Sequence, residues 1–316
     1  MTILFAGGEL GAFVGSDSNA IEYTNASGYD SNFSRCAIAA FETAQYVESA
    51  AFTATNAVFV HFTTGQADVG GSATTLVALE NSGTEVFRLR AQTGMTELQM
   101  QYWNGASWAN AGSAITTNIT NARQTIDLYV SDSELILFLG GSERESASGS
   151  FTSITSLDLL RMYGNGPVHQ PYTQVIVADE PTIGWRLKTA PATGAGATTD
   201  WTGTYAEIDE AVVSDVDFIN SATANQVELF THSATIPTGY TVRGVVVTAR
   251  AKKGLSGPAN IQLALRSSGT TYFSSSQALG LGYGAHVGIW ETDPATAADF
   301  TSSAIASLQF GVKSIT

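Results

Sequence analysis

Apolar and polar residues alternate in short runs along most of this chain, and clusters of Gly, Ser, Asn and Thr separate the runs. Successive side chains of a strand point to opposite faces, so such runs predict strands with one buried face. In residues 97–102, Leu98, Met100 and Tyr102 share one face while Glu97, Gln99 and Gln101 share the other. Residues 124–130 repeat the pattern with Ile126, Leu128 and Val130 inward. Val58, Val60 and Phe62 alternate with Phe59 and His61, and Phe87 and Leu89 with Arg88 and Arg90. The polar stretch Ser131-Asp132-Ser133 between two apolar runs predicts an antiparallel hairpin. Residues 156–162 and 172–177 complete the N-terminal set. The Ala-rich window 37–52 fits either a short helix or two strands, and its edges favour strands.

The second half has the same texture. Strands are expected at 226–231, 241–251, 260–266, 285–291 and 305–312. The continuous run Val245-Val246-Val247 suits a strand covered on both faces. Residues 293–300 read as a turn leading into one helical turn. Between the halves, residues 188–199 carry no large apolar side chain, which predicts a linker with nothing to bury. The expected architecture is all-β: two β-sandwich (jelly-roll) domains joined by a short Gly/Ala/Thr linker near 190–199. The domains are placed at 33–189 and 200–316, with 1–32 as an N-terminal docking segment. No exact internal repeat links the halves.

Composition narrows the function classes. Of 316 residues only 13% are charged, against about 25% in an average domain. The charge is lopsided, with 28 acidic residues against 14 Lys plus Arg and a net charge of -14. Such a balance opposes the counterion release that drives nucleic-acid binding. No apolar run is long enough for a helical membrane span, so membrane insertion is not expected. The first residues lack a basic stretch followed by an apolar core, so no secretory signal is expected. The single Cys36 rules out a disulfide framework and reads as a small buried hydrophobe.

Catalytic motifs are sparse. His61, His169, His232 and His286 stand far apart in sequence, and none is singled out as a ligand or base. The stretch 280–285 looks like a dinucleotide fingerprint, but its flanks are strand-like, so it reads as a turn. Carboxylates cluster at Glu207, Asp209, Glu210, Asp215 and Asp217. On a strand, Glu207 and Asp209 would share a face, the arrangement a two-carboxylate glycosidase needs. Ala211 stands where a third acid would complete that set, and a non-enzymatic reading is preferred. Glu207, Asp209, Asp215 and Asp217 are instead candidate ligands for Ca²⁺, a hard cation that takes clustered carboxylates. Trp103 and Trp108 flank the turn Asn104-Gly105, which offers a second candidate site. Exposed Trp stacks on sugar rings and Asn104 bonds hydroxyls, whereas the simpler reading makes the two rings a cross-strand pin.

Two resemblances follow from these residues. The strand series 77–80, 86–89, 98–102, 126–130, a strand ending Leu139-Gly140-Gly141, and 172–178 resembles the concanavalin A-like, laminin-G-like jelly roll. Asp200-Trp201-Thr202-Gly203, 208–210, 215–219, 228–230 and the closing 290–312 resemble a module common in tailed-bacteriophage virion proteins. That second resemblance implies a virion structural role and assigns no catalytic residue. The leading expectation is a non-enzymatic phage virion protein, displayed as a head decoration or a tail component after assembly in the host cytoplasm. Its partners would be other virion proteins, further copies of itself in a symmetric homo-oligomer, and a host-surface glycan. The alternative is a carbohydrate-binding lectin or adhesin.

Overall fold

The computed structural model describes residues 2–15, 21–23, 30, 32–35, 37–40, 45–65, 73–92, 96–117, 123–164, 170–210 and 213–316. Cys36 and His169 lie outside the described residues. The protein is all-β, with one short α-helix at Ser302–Ser307 and 3-10 turns at Leu10–Ala12 and Tyr205–Glu207 among the described residues. It divides into two compact units, Met1–Leu187 and Lys188–Thr316.

The first unit is a sandwich of two antiparallel sheets. One orders its strands Ser142–Ser148, Glu134–Leu139, Gln124–Ser131, Ala57–Thr64, Gln170–Ala178, Ala37–Ala40 and Ile21–Tyr23, with Ile3–Gly7 also paired to Gln170–Ala178. The other orders Trp108–Thr116, Glu97–Trp103, Thr84–Ala91, Thr74–Asn81, Leu157–Tyr163, Tyr46–Ser49 and Phe13–Gly15. The expected hairpin is present, with Val130 opposite Leu135. The core is built by the inward sets read from the alternation: Val58, Val60, Phe62, Ile126, Leu128 and Val130 face Phe87, Leu89, Leu98 and Met100, all of them buried. Each such side chain, fully buried, contributes about 1.5–3 kcal/mol. Tyr172 spans this core. Its ring packs edge-on to Phe62, and its hydroxyl lies 2.8 Å from the carbonyl oxygens of Leu76 and Tyr163 in the opposite sheet. Burial drives the Tyr172 hydroxyl well above its ordinary pKa, so it remains a donor.

The sheets also meet along one edge. Gly112, at φ 67°, makes room in a bulge for Glu145 of the facing edge strand, whose Oε1 accepts from the Ser113 N–H at 2.8 Å.

Two expectations about boundaries are corrected. The segment 1–32, set apart from the first domain as a docking segment, is in part woven into the first sandwich. Ile3–Gly7 pairs with Gln170–Ala178, Phe13–Gly15 pairs with Tyr46–Ser49, and Ile3, Phe5 and Phe13 are buried. The supposed linker is in part a strand, because Gly194–Thr199 pairs with Val227–Thr231. Its small residues answer to packing: a Cβ on Gly196 would lie 2.6 Å from the Leu229 backbone.

The second unit is a smaller sandwich. One sheet orders Gly194–Thr199, Val227–Thr231, Gln309–Ile315, Asn260–Ser267 and Thr270–Phe273, with Gln277–Ala278 also on Asn260–Ser267. The other holds Val245–Ala251 against Gly284–Trp290. Val247, Ile261, Leu263, Leu265, Phe300, Ile305, Leu308 and Val312 form its core. Of the valine run only Val247 is buried, so this strand is covered on one face and not on both. The helical turn comes slightly later than expected, after Phe300, where Thr301 caps it by accepting from the Ala304 N–H.

Gly311 lies opposite Leu229, and a Cβ there would come within 1.8 Å of the Glu228 carbonyl oxygen. Overpacking of this kind costs about 1–3 kcal/mol or more. Gly311→Ala is therefore expected to lower the urea midpoint of the second unit by at least that equivalent, and an unchanged midpoint would refute the close approach.

Candidate functional site

The sequence candidates separate. Trp103 and Trp108 are directly opposed across a hairpin, with ring centroids 5.8 Å apart in an edge-to-face contact. They form the cross-strand pin, and both stay half-buried. The Asn104 side chain is turned back into the loop, where its Oδ1 accepts from the N–H groups of Ala106 and Ser107 at 3.0 and 2.9 Å.

The acidic candidates lie in turns and not on a strand face. Tyr205–Glu207 is a 3-10 turn, and Glu207 closes a capping box with Thr204. Hydrogen bonds from Thr204 hold the Glu207 carboxyl below its ordinary pKa. Asp215 takes a two-pronged contact from Arg250, at 2.7 and 2.8 Å, which lowers its pKa. In a local turn the Asp217 carboxylate accepts from the Ser214 hydroxyl, and the Asp217 N–H donates to the same hydroxyl oxygen. Among the described residues, no three His, Cys, Asp or Glu side chains come together in a metal-holding group.

A different constellation lies on the outer face of the seven-stranded sheet. Strand register sets Glu48, Arg161, Ala78, Arg88, Gln101 and Asn110 in one row, each opposite the next. The row crosses six strands, a span of about 24 Å at the usual strand spacing. Period-two alternation places these side chains there, because Val47, Met162, Leu79, Phe87 and Met100 take the core face of the same strands.

Arg161 organises one end. Its guanidinium lies 2.6 Å from Glu48, 2.6 Å from Glu80 and 3.6 Å from Glu85, and its central carbon sits over the Tyr46 ring, 4.2 Å from the centroid. Tyr46 packs edge-on to Tyr163, whose hydroxyl donates to Glu85. At the other end, Arg88 lies over the Trp108 ring at 4.0 Å and donates through Nε to Gln101 Oε1 at 2.8 Å. Gln101 Nε2 in turn donates to Asn110 Oδ1 at 2.7 Å. Trp108, proposed from sequence, thus belongs to a longer band of aromatic rings and planar polar groups.

The band is electrostatically tense. Burial raises the pKa of Glu80, opposed by Arg161 and reinforced by Glu48, Glu85 and Asp158. Glu85 is likewise raised by burial against the pull of Arg161 and Arg88. Burial pulls Arg161 down, but the hydrogen bond and charge of Glu48, with Glu80, more than restore it.

Alternation made the polar face visible at Arg88, Arg90, Gln99 and Gln101. It does not by itself mark Tyr46, Glu48, Glu80, Glu85, Arg161 and Tyr163 as parts of one group. The available signal was the triplet Tyr46-Val47-Glu48 mirrored by Arg161-Met162-Tyr163, two strands with a ring and a charge two residues apart.

The other sheet holds a buried polar group of a different kind. His61 Nδ1 lies 2.8 Å from Asp127 Oδ1, and the Thr182 hydroxyl donates to the same oxygen at 2.8 Å. All three residues are wholly buried. Thr182 follows the last strand of this sandwich, so the group ties the chain after that strand back onto the sheet. His232 and His286 have pKa values lowered by burial, which favours neutral imidazole.

No protein-family model and no curated protein matches the chain. Among solved structures, the T. cruzi calreticulin globular domain is similar at TM-score 0.44 and 10% identity, over 57% of this chain and 89% of that one. The cellulose-induced protein Cip1 is similar at TM-score 0.43 and 13% identity, over 55% and 94%. The carbohydrate binding module CBM66 from Bacillus subtilis is similar at TM-score 0.38 and 8% identity, over 56% and 99%. These are likenesses of fold, and no residue is carried over from them.

The raised carboxyls give a pH signature. A carboxyl whose folded pKa exceeds its unfolded value favours the folded state when protonated. Stability then falls as pH rises from the unfolded pKa, near 4.5, through the folded one. Glu80→Gln keeps the shape without the titration. Thermal melts from pH 4 upward should show a shallower decline for this variant than for the wild type, and parallel curves would contradict the assignment.

Proposed function

We propose that the first sandwich binds carbohydrate on the outer face of its seven-stranded sheet. The carrying observation is the continuous band from Tyr46 and Glu48 through Arg161 and Arg88 to Gln101, Asn110 and Trp108. A sugar ring offers an apolar C–H face and adjacent hydroxyls that both donate and accept. Aromatic side chains match the first property, and the paired atoms of Arg, Gln, Asn and carboxylate match the second. Held rigidly on strands, such groups are ordered before the ligand arrives, which lowers the entropy cost of binding. The role is binding, and the chemistry of a reaction is not assigned to these residues.

The expectation of a phage virion component rests on the resemblance of residues 200–316 and is compatible with this reading. A particle protein can carry a glycan-binding sandwich outward while its other unit associates with virion partners or further copies. Its test is mass spectrometry of purified particles, where the chain should occur at fixed stoichiometry; its absence would end the virion reading.

The glycan reading is tested on a glycan array with the full chain. Wild type should bind a subset of glycans. Trp108→Ala and Asn110→Ala should each weaken that binding at least about tenfold, equivalent to about 1.4 kcal/mol. Asn110 is exposed, so its variant should keep the wild-type melting curve. Absence of any binding by the wild type would overturn the proposal.

A further inference from the structure

We infer that the Trp108 end of the band is a subsite for an acidic sugar, whose carboxylate or sulfate ester is held by Arg88 and Arg90. This inference rests on the glycan reading and specifies its ligand.

The band is unevenly charged. Arg161 has three carboxylates around it, whereas among the described residues neither Arg88 nor Arg90 forms an ion pair. The two arginines are two residues apart on Thr84–Ala91 and therefore share a face. Gln101 uses only the Nε of Arg88, and among the described residues the two terminal nitrogens of this guanidinium meet no acceptor. Arg90 reaches a single backbone oxygen, Ala73, through Nη2 at 3.5 Å. Opposite Arg90 stands Gln99, whose amide is turned onto the carbonyls of Met100, Ala111 and Gly112 and supplies no counter-charge.

The Trp108 ring 4.0 Å away and the Nε hydrogen bond to Gln101 together hold the Arg88 guanidinium in place. A guanidinium held in this way presents its paired N–H groups to a carboxylate or sulfate at little further entropy cost. Burial and the neighbouring charge of Arg90 both depress the pKa of Arg88, opposed by Glu85, so an anion beside the two arginines would relieve their mutual repulsion. The net charge of -14 repels polyanions at long range. At physiological salt that repulsion is screened beyond about 8 Å, while a contact ion pair is not. The other end of the band, rich in carboxylates, suits hydroxyls.

The experiment is affinity electrophoresis of the full chain at physiological salt. The probes are polygalacturonate, its fully methyl-esterified form, dextran sulfate and dextran. Polygalacturonate or dextran sulfate should bind at least about tenfold tighter than its neutral counterpart, and whichever pair responds identifies carboxylate or sulfate. Arg90→Gln and Arg88→Gln should bring the acidic-to-neutral ratio towards one. Arg144→Gln, on the exposed edge strand Ser142–Ser148, should leave it unchanged. Equal binding of acidic and neutral probes would overturn this inference and leave the glycan reading standing. Binding of none of the four, together with an empty glycan array, would overturn both.

Discussion

The pairing of Arg161 with Glu48, Glu80 and Glu85 is the interaction on which the polar face of the first sandwich depends. Glu80 is only 2% exposed. A charge so buried must be paired or neutralised, and removing one partner of such a pair commonly costs about 3–5 kcal/mol. The partner arrives from the adjacent strand, and Glu48 from the strand beyond it. A one-residue slip of Leu157–Tyr163 would turn Arg161 into the core and Met162 outward. The ion cluster therefore helps fix the strand register that aligns the rest of the band. Tyr172 supports the same strand from behind, because its hydroxyl reaches the Tyr163 carbonyl across the core.

The fold was legible wherever one face of a strand is apolar and the other polar. Glu97–Trp103 and Gln124–Ser131 show this, and the hairpin after Val130 follows from the polar turn between two apolar runs. Legibility failed where packing demands small side chains. Gly194–Thr199 looks like a linker because Gly196 must clear the Leu229 backbone, so a strand was hidden by its own close approach. Ile3–Gly7 failed for another reason: five residues are too few to display a period, and its buried residues are explained only by a partner far along the chain.

The candidate site was legible in part for a related reason. Trp103 and Trp108 stand out because Trp is rare and the Asn-Gly turn between them is local. Arg161 and Glu80 are joined through register, and register between distant strands is not written in either segment alone. The acidic run after residue 200 misled in the opposite sense. Nearness in sequence suggested one site, but Glu207 caps its own turn and Asp215 pairs with Arg250, so the backbone between them directs the carboxylates to separate tasks.

This contrast bears on where ligand chemistry resides. A carboxylate already satisfied by a cap or a bidentate arginine would have to lose that partner before it could take a ligand, and the loss subtracts from affinity. Among the described residues, Arg88 and Arg90 have no ion pair to give up. A chain with only 13% charged residues has few charges to place, and most strand faces are finished with Ser, Thr, Gln and Asn. Two adjacent arginines, offset only in part by the more distant Glu85, repel each other and so work against the folded state. That arrangement is costly as architecture alone, and a ligand anion is the group whose arrival would turn the repulsion into binding energy.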